Sequence, residues 1–180
     1  MPRKRALQFV VGICLAMSTT LAIAQSTREI VYRGGILRFA VPADWAEEYE
    51  QQGGATFYAK RPNSGSLRLN VVTLKAPNAV TAGTAQEVLK QLRGIDRDSI
   101  EQLPSGNAIG RDMQRSSDSG IAITQYWWYL SNPVPPEYVR IAMFSYTVPT
   151  SNEKSAQTSA ELKLLERSIR NAKFHPTLGE

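Results

Sequence analysis

Two runs of strand-forming residues, 121–130 (IAITQYWWYL) and 138–147 (YVRIAMFSYT), flank the segment SNPVPPE and limit what this chain can fold into. β-Branched and aromatic residues suit a pleated, half-buried surface. Two such runs joined by a turn-forming segment form an antiparallel hairpin. The same pattern recurs along the chain. REIVYR (28–33) and ILRFAVP (36–42) flank Gly34-Gly35, a tight-turn signal. ATFYAK (55–60) and SLRLNVVTLK (66–75) flank RPNSG, with Leu67, Leu69 and Val71 on one face. Further strands are predicted at about 98–103, 107–116 and 120–130, separated by LPSGN and SSDSG. Pro42 ends a strand and PADW breaks the pattern.

Two helices interrupt the strands. Thr84-Ala-Gln-Glu87 has capping-box spacing, in which the threonine hydroxyl and the glutamate side chain satisfy each other's backbone N–H. Ala85, Val88, Leu89 and Leu92 follow at helical spacing, and Gly94 is the stop. A closing helix is predicted over 152–171, with Leu162, Leu165 and Ile169 as its apolar stripe and Lys163, Glu166, Arg167 and Arg170 away from it. Hairpins dominate, so the fold class is α+β: a mainly antiparallel β-sheet flanked by helices, an α/β/α sandwich.

The N-terminus reads as a signal peptide. Arg3, Lys4 and Arg5 precede an apolar run, no acid appears before Glu29, and Ala22-Ile23-Ala24 is a small-x-small cleavage site. Cleavage after Ala24 is the expectation, leaving residues 25–180 as one exported, periplasmic domain without a stable membrane anchor. Losing three basic residues and no acid would lower the formal charge from +5 to +2. No Lys/Arg run remains, which argues against nucleic acid as a partner. Cys14 is the only cysteine and lies in the leader; Ile13 before it is too large for a lipoprotein site. The exported chain would carry neither disulfide nor thiolate, so its core alone must hold it together.

Catalytic groups are scarce. The only histidine, His175, stands near the C-terminus, a poor place for a triad base. Asp96, Asp98 and Glu101 lack the glycine that a calcium loop needs at its sixth position, where Glu101 stands. Glu47, Glu48 and Glu50 are the carboxylates a minor hydrolase reading would use. Gly34-Gly35 and Gly53-Gly54 are isolated pairs, not phosphate or dinucleotide loops. No metal or cofactor is implied.

The aromatics Tyr126, Trp127, Trp128 and Tyr129 are either core or surface. With Tyr129 taken opposite Tyr138, and Trp127 opposite Arg140, one face carries Trp128, Tyr126 and Ile141 as core. The other carries Gln125, Trp127, Tyr129, Tyr138 and Arg140, the candidate binding residues. Arg140 would then lie over the Trp127 ring. Tryptophan, tyrosine and arginine are the types enriched at protein–protein hot spots, but a strand covered on both faces is aromatic and apolar for structural reasons alone. The prolines Pro133, Pro135 and Pro136 make the connection extended and stiff.

ILRFAVPADW (36–45), the order of elements and the closing amphipathic helix ending at Phe174 resemble the PsbP-like fold family. That family includes an extrinsic photosystem II protein, a Ran-binding nuclear import factor and bacterial DcrB-like envelope proteins. The resemblance covers most of 28–174 and implies a non-catalytic protein that binds another protein. It transfers no functional residue. Together these readings predict an exported binding protein, not an enzyme, whose partner is an envelope assembly or a toxin that it neutralises. The alternative is a carrier of a small apolar ligand between sheet and helix near Trp127 and Tyr129.

Overall fold

The computed structural model describes residues 26–61 and 64–177. The expected leader, and Pro62 and Asn63 of the RPNSG turn, lie outside the described residues. The chain runs through β1 (Thr27–Tyr32), β2 (Leu37–Pro42), β3 (Trp45–Tyr49), β4 (Ala55–Ala59), β5 (Ser66–Lys75), α1 (Thr84–Gln91), β6 (Asp96–Gln102), β7 (Ala108–Asp118), β8 (Ile121–Val134), β9 (Tyr138–Pro149), α2 (Ala156–Arg170) and β10 (Lys173–Phe174). Among the described residues the strands make two sheets, ordered β1-β2-β10 and β3-β4-β5-β9-β8-β7-β6. All the pairings are antiparallel. This is the α+β class expected.

The large sheet has two unlike faces. One turns Phe57, Leu67, Leu69, Ile109, Trp128, Leu130, Phe144 and Tyr146 toward β1, β2 and α2. Ile30, Tyr32, Leu37, Phe39 and Val41 from the small sheet, with Leu165 and Ile169 from α2, complete this core. Each such side chain is worth about 1.5–3 kcal/mol when fully buried. The other face receives α1, whose Ala85 and Leu89 pack on Ile95, Ala108 and Tyr129.

Five expectations about single elements fail. The strand β3 begins three residues after Pro42, inside the segment read as a break, because Trp45 is buried against Tyr146. Residues 173–174 form the extra strand β10, which pairs with β2. The capping box at Thr84 does not form: Gly83 is the cap and the Thr84 hydroxyl accepts from the Thr81 N–H at 2.9 Å. The preceding turn has taken the oxygen that the helix would have used. The apolar stripe of α2 is also interrupted by Glu161, which is 1% exposed. Its carboxylate accepts from the Tyr146 hydroxyl, Ser64 and Arg61, so the buried charge is matched. Burial, then the Glu161 bond and charge, push the Tyr146 hydroxyl well above its ordinary range. Fifth, Glu166 does not point away from the core side, as the site geometry below shows.

Two local features invite tests. The cap of α2 is Ser155, whose hydroxyl accepts from the Thr158 N–H at 3.0 Å. Ser155→Ala should cost about 1 kcal/mol, whereas Thr84→Ala should cost less than about half that, both read by urea unfolding. A Cβ at Gly65 would meet the Tyr146 ring at 2.3 Å. Gly65→Ala should therefore cost about 1–3 kcal/mol by overpacking, and Tyr146→Phe in the same chain should not restore it, since the ring remains.

Candidate binding face and the α2 cleft

The register of β8 on β9 decides which aromatics meet. Trp127 pairs with Ser145, Trp128 with Phe144, Tyr129 with Met143 and Asn132 with Arg140. The strands stay paired up to Val134 and Tyr138, so the proline connection is only Pro135–Glu137. The expected register is off by an odd number of residues, and an odd slip moves side chains to the opposite face.

The five candidate residues therefore separate. Gln125, Trp127 and Tyr129 share the outer face of the large sheet. Trp127 stacks on Tyr129 with ring centroids 5.9 Å apart and planes 13° apart. Gln125 Nε2 donates to Thr147 Oγ1 at 3.4 Å. Tyr129 packs into the α1 cluster, and burial, followed by the charge of Asp112, raises its hydroxyl above the ordinary range. Trp127 lies one step beyond that cluster and is half-buried; its indole N–H has no acceptor among the described residues. Further along β8, Ile123 is half-buried and Ile121 is 59% exposed. A column of apolar and aromatic side chains thus continues past the end of the cover that α1 provides.

Tyr138 and Arg140 are on the opposite face, at the far end of the hairpin. Arg140 is fully buried rather than exposed. Its Nη2 donates to the carbonyls of His175 at 2.6 Å and Thr177 at 2.7 Å, and the ring it overlies is Phe174, at 5.6 Å, not Trp127. Burial depresses its pKa. This arginine fastens the segment after α2 to the sheet and is not available to a partner.

The carboxylates of the hydrolase reading do not converge. Glu47 binds Arg28 Nη1 at 3.1 Å, Glu48 accepts from the Tyr58 hydroxyl, and Glu50 takes Arg68 at 2.7 and 2.9 Å. Consecutive positions on β3 place Glu47 and Glu48 on opposite faces.

A feature that sequence reasoning missed lies on the α2 side. A cleft of about 560 Å³ opens between α2 and the β6–β8 end of the sheet. At its floor Glu166 accepts from Trp128 Nε1 at 2.6 Å and from the Arg111 guanidinium through both oxygens. Arg170 and Glu101 extend the network. Burial pushes the Glu166 carboxyl up, but the bonds from Arg111 and Trp128 and the neighbouring positive charges outweigh it and hold the group below the usual range. The helical spacing of α2 placed Glu166 away from the apolar stripe; only its partners on β7 and β8 show its role.

No family model matches this sequence, and no curated protein matches it. Solved structures do match in fold. A Bacteroides thetaiotaomicron protein superposes with a TM-score of 0.59 at 17% identity over 87% of this chain, which spans about half (51%) of that protein's length. LpqN, involved in cell envelope biogenesis of Mycobacterium tuberculosis, superposes with 0.55 at 14% identity, covering 84% of this chain and 91% of LpqN. The Saccharomyces cerevisiae Ran-binding protein Mog1p gives 0.50 at 13%, covering 84% and 96%. The chain has the PsbP-like fold that its sequence resembles, and at these identities the likeness is one of fold.

Trp128 is 4% exposed in the core, and Trp128→Ala should cost about 3–5 kcal/mol. Trp127→Ala should cost markedly less; urea unfolding compares the two. A group whose folded pKa is lowered stabilises above its unfolded value, about 4.3 for glutamate, and that stability is lost as pH falls through the folded value. Wild-type stability should therefore fall with acid below about pH 4.3. Glu166→Gln should be less stable at pH 7 by about 1–3 kcal/mol, and its urea midpoint should vary less over that acid range.

Proposed function

We propose that this is an exported, non-catalytic periplasmic protein that binds another protein through the outer face of its large sheet, centred on Trp127. The observation that carries this reading is the Trp127–Tyr129 stack at the edge of the α1 cover, continued by Ile123 and Ile121. Aromatic side chains anchored by a packed neighbour lose little entropy on docking, and they dominate binding energy where they occur. Gln125 beside them supplies a polar contact. The basic, apolar N-terminus supports export, and among the described residues no helix is long and apolar enough to cross a membrane. Fold neighbours named for envelope biogenesis and for Ran binding support a binding role. The surface fits a partner with an apolar anchor flanked by hydrogen-bonding groups, such as an envelope assembly component or a neutralised toxin.

A photo-cross-linking residue at Ile123 tests this in the intact cell. The expected result is one discrete cross-linked partner in the periplasmic fraction, lost when Trp127→Ala is added and kept when Met113→Lys is added on the opposite face. No cross-link above background, or one indifferent to Trp127→Ala, overturns the reading.

A further inference from the structure

The α2 cleft opens where α2 meets the sheet; Trp127 is among its lining residues, but its apolar walls come from the face opposite the one that Tyr129, Ile123 and Ile121 share, so it goes beyond the protein-docking reading. We propose that it binds an uncharged, ring-bearing apolar small molecule. Its volume of about 560 Å³ falls inside the range of small-molecule pockets, roughly 300–1,000 Å³. Met113, Tyr126 and Trp128 from the sheet and Leu162 from α2 supply its apolar walls. Met113 is 46% exposed although it lies on the face where α2 packs, so the core leaves this side chain uncovered.

Charge selects the class of ligand. Glu166 is matched by Arg111 and by the Trp128 N–H. Ser99 Oγ donates to the Asp96 carbonyl at 2.6 Å and accepts from the Arg111 N–H at 2.7 Å. The floor is thus closed in hydrogen bonds and neutral in charge. Asp96 and Lys163 at the rim are exposed and Asp112 is half-buried, so the lining as a whole carries three carboxylates against two cations. An anionic ligand would surrender its water to a lining that already carries more negative than positive charge, a transfer that costs far more than burying a neutral group. An uncharged body loses nothing of the kind. The faces of Tyr126 and Trp128 and the thioether of Met113 favour a flat ring as that body.

Two probes that share a skeleton and differ in charge test this on the purified protein. N-phenyl-1-naphthylamine is uncharged at pH 7, and 1-anilinonaphthalene-8-sulfonate is the same ring system with a sulfonate. The expected result is saturable one-to-one binding of the uncharged probe, with the sulfonate at least about tenfold weaker. Met113→Lys should weaken the uncharged probe by about tenfold or more, while Ile121→Ala, outside the cleft, leaves it within about twofold. In protein carrying ¹³C-methyl methionine, the Met113 methyl resonance should shift on adding the uncharged probe, a readout that needs no variant to fold. Absence of saturable binding, equal binding of the two probes, or an unmoved Met113 methyl overturns the proposal.

Discussion

Trp128 opposite Phe144 and Trp127 opposite Ser145: from this pairing of β8 with β9 follows the division of the molecule into a packed side and a partly open one. The even-numbered residues of β8 enter the core beneath α2 and the small sheet. The odd-numbered residues face α1 and, beyond it, solvent. Neighbouring aromatics with the same chemistry thus acquire different tasks because side chains alternate along a strand. Trp128 closes the core and fixes Glu166. Trp127 leans on Tyr129 at the margin of a short helix.

Two acidic side chains of α2 hold that division in place. Glu161 is deep and matched by Tyr146, and Glu166 is half-buried and matched by Arg111 and Trp128. Both tie the helix to the sheet through hydrogen bonds that a purely apolar stripe would not specify. Buried carboxylates of this kind are costly unless matched, so the seat of α2 depends on partners from β7, β8 and β9 arriving together. The same seating leaves the cleft between the helix and the outer strands with a floor whose polar groups are already satisfied.

Much of the fold was legible because strands with turn signals announce themselves: Gly34-Gly35, Leu67-Leu69-Val71, the run 138–147. What was not legible was set by distant contacts. Strand β3 is acid-rich, and only the burial of Trp45 on Tyr146 reveals it. Strand β10 is two residues long and exists because β2 offers it an edge. The Thr84 hydroxyl had two possible N–H partners, and the turn before the helix won. The register of β8 and β9 hinged on how far pairing extends into a proline-rich connection, which composition does not state. The odd offset moved Tyr138 and Arg140 away from Gln125, Trp127 and Tyr129, so the five candidate residues do not share one face.

Arg140 gives the C-terminal segment a weight that its two-residue strand would not suggest. The guanidinium is dry because the backbone at His175 and Thr177 supplies acceptors to it, and hydrogen bonds to a charged group are worth about 1.5–3 kcal/mol each. A protease nick just after Phe174 would remove both acceptors at once and let water run in along the hairpin toward the base of the sheet. The last few residues of the described chain work as a stopper, and an appendage fused beyond them must leave that plug in its socket.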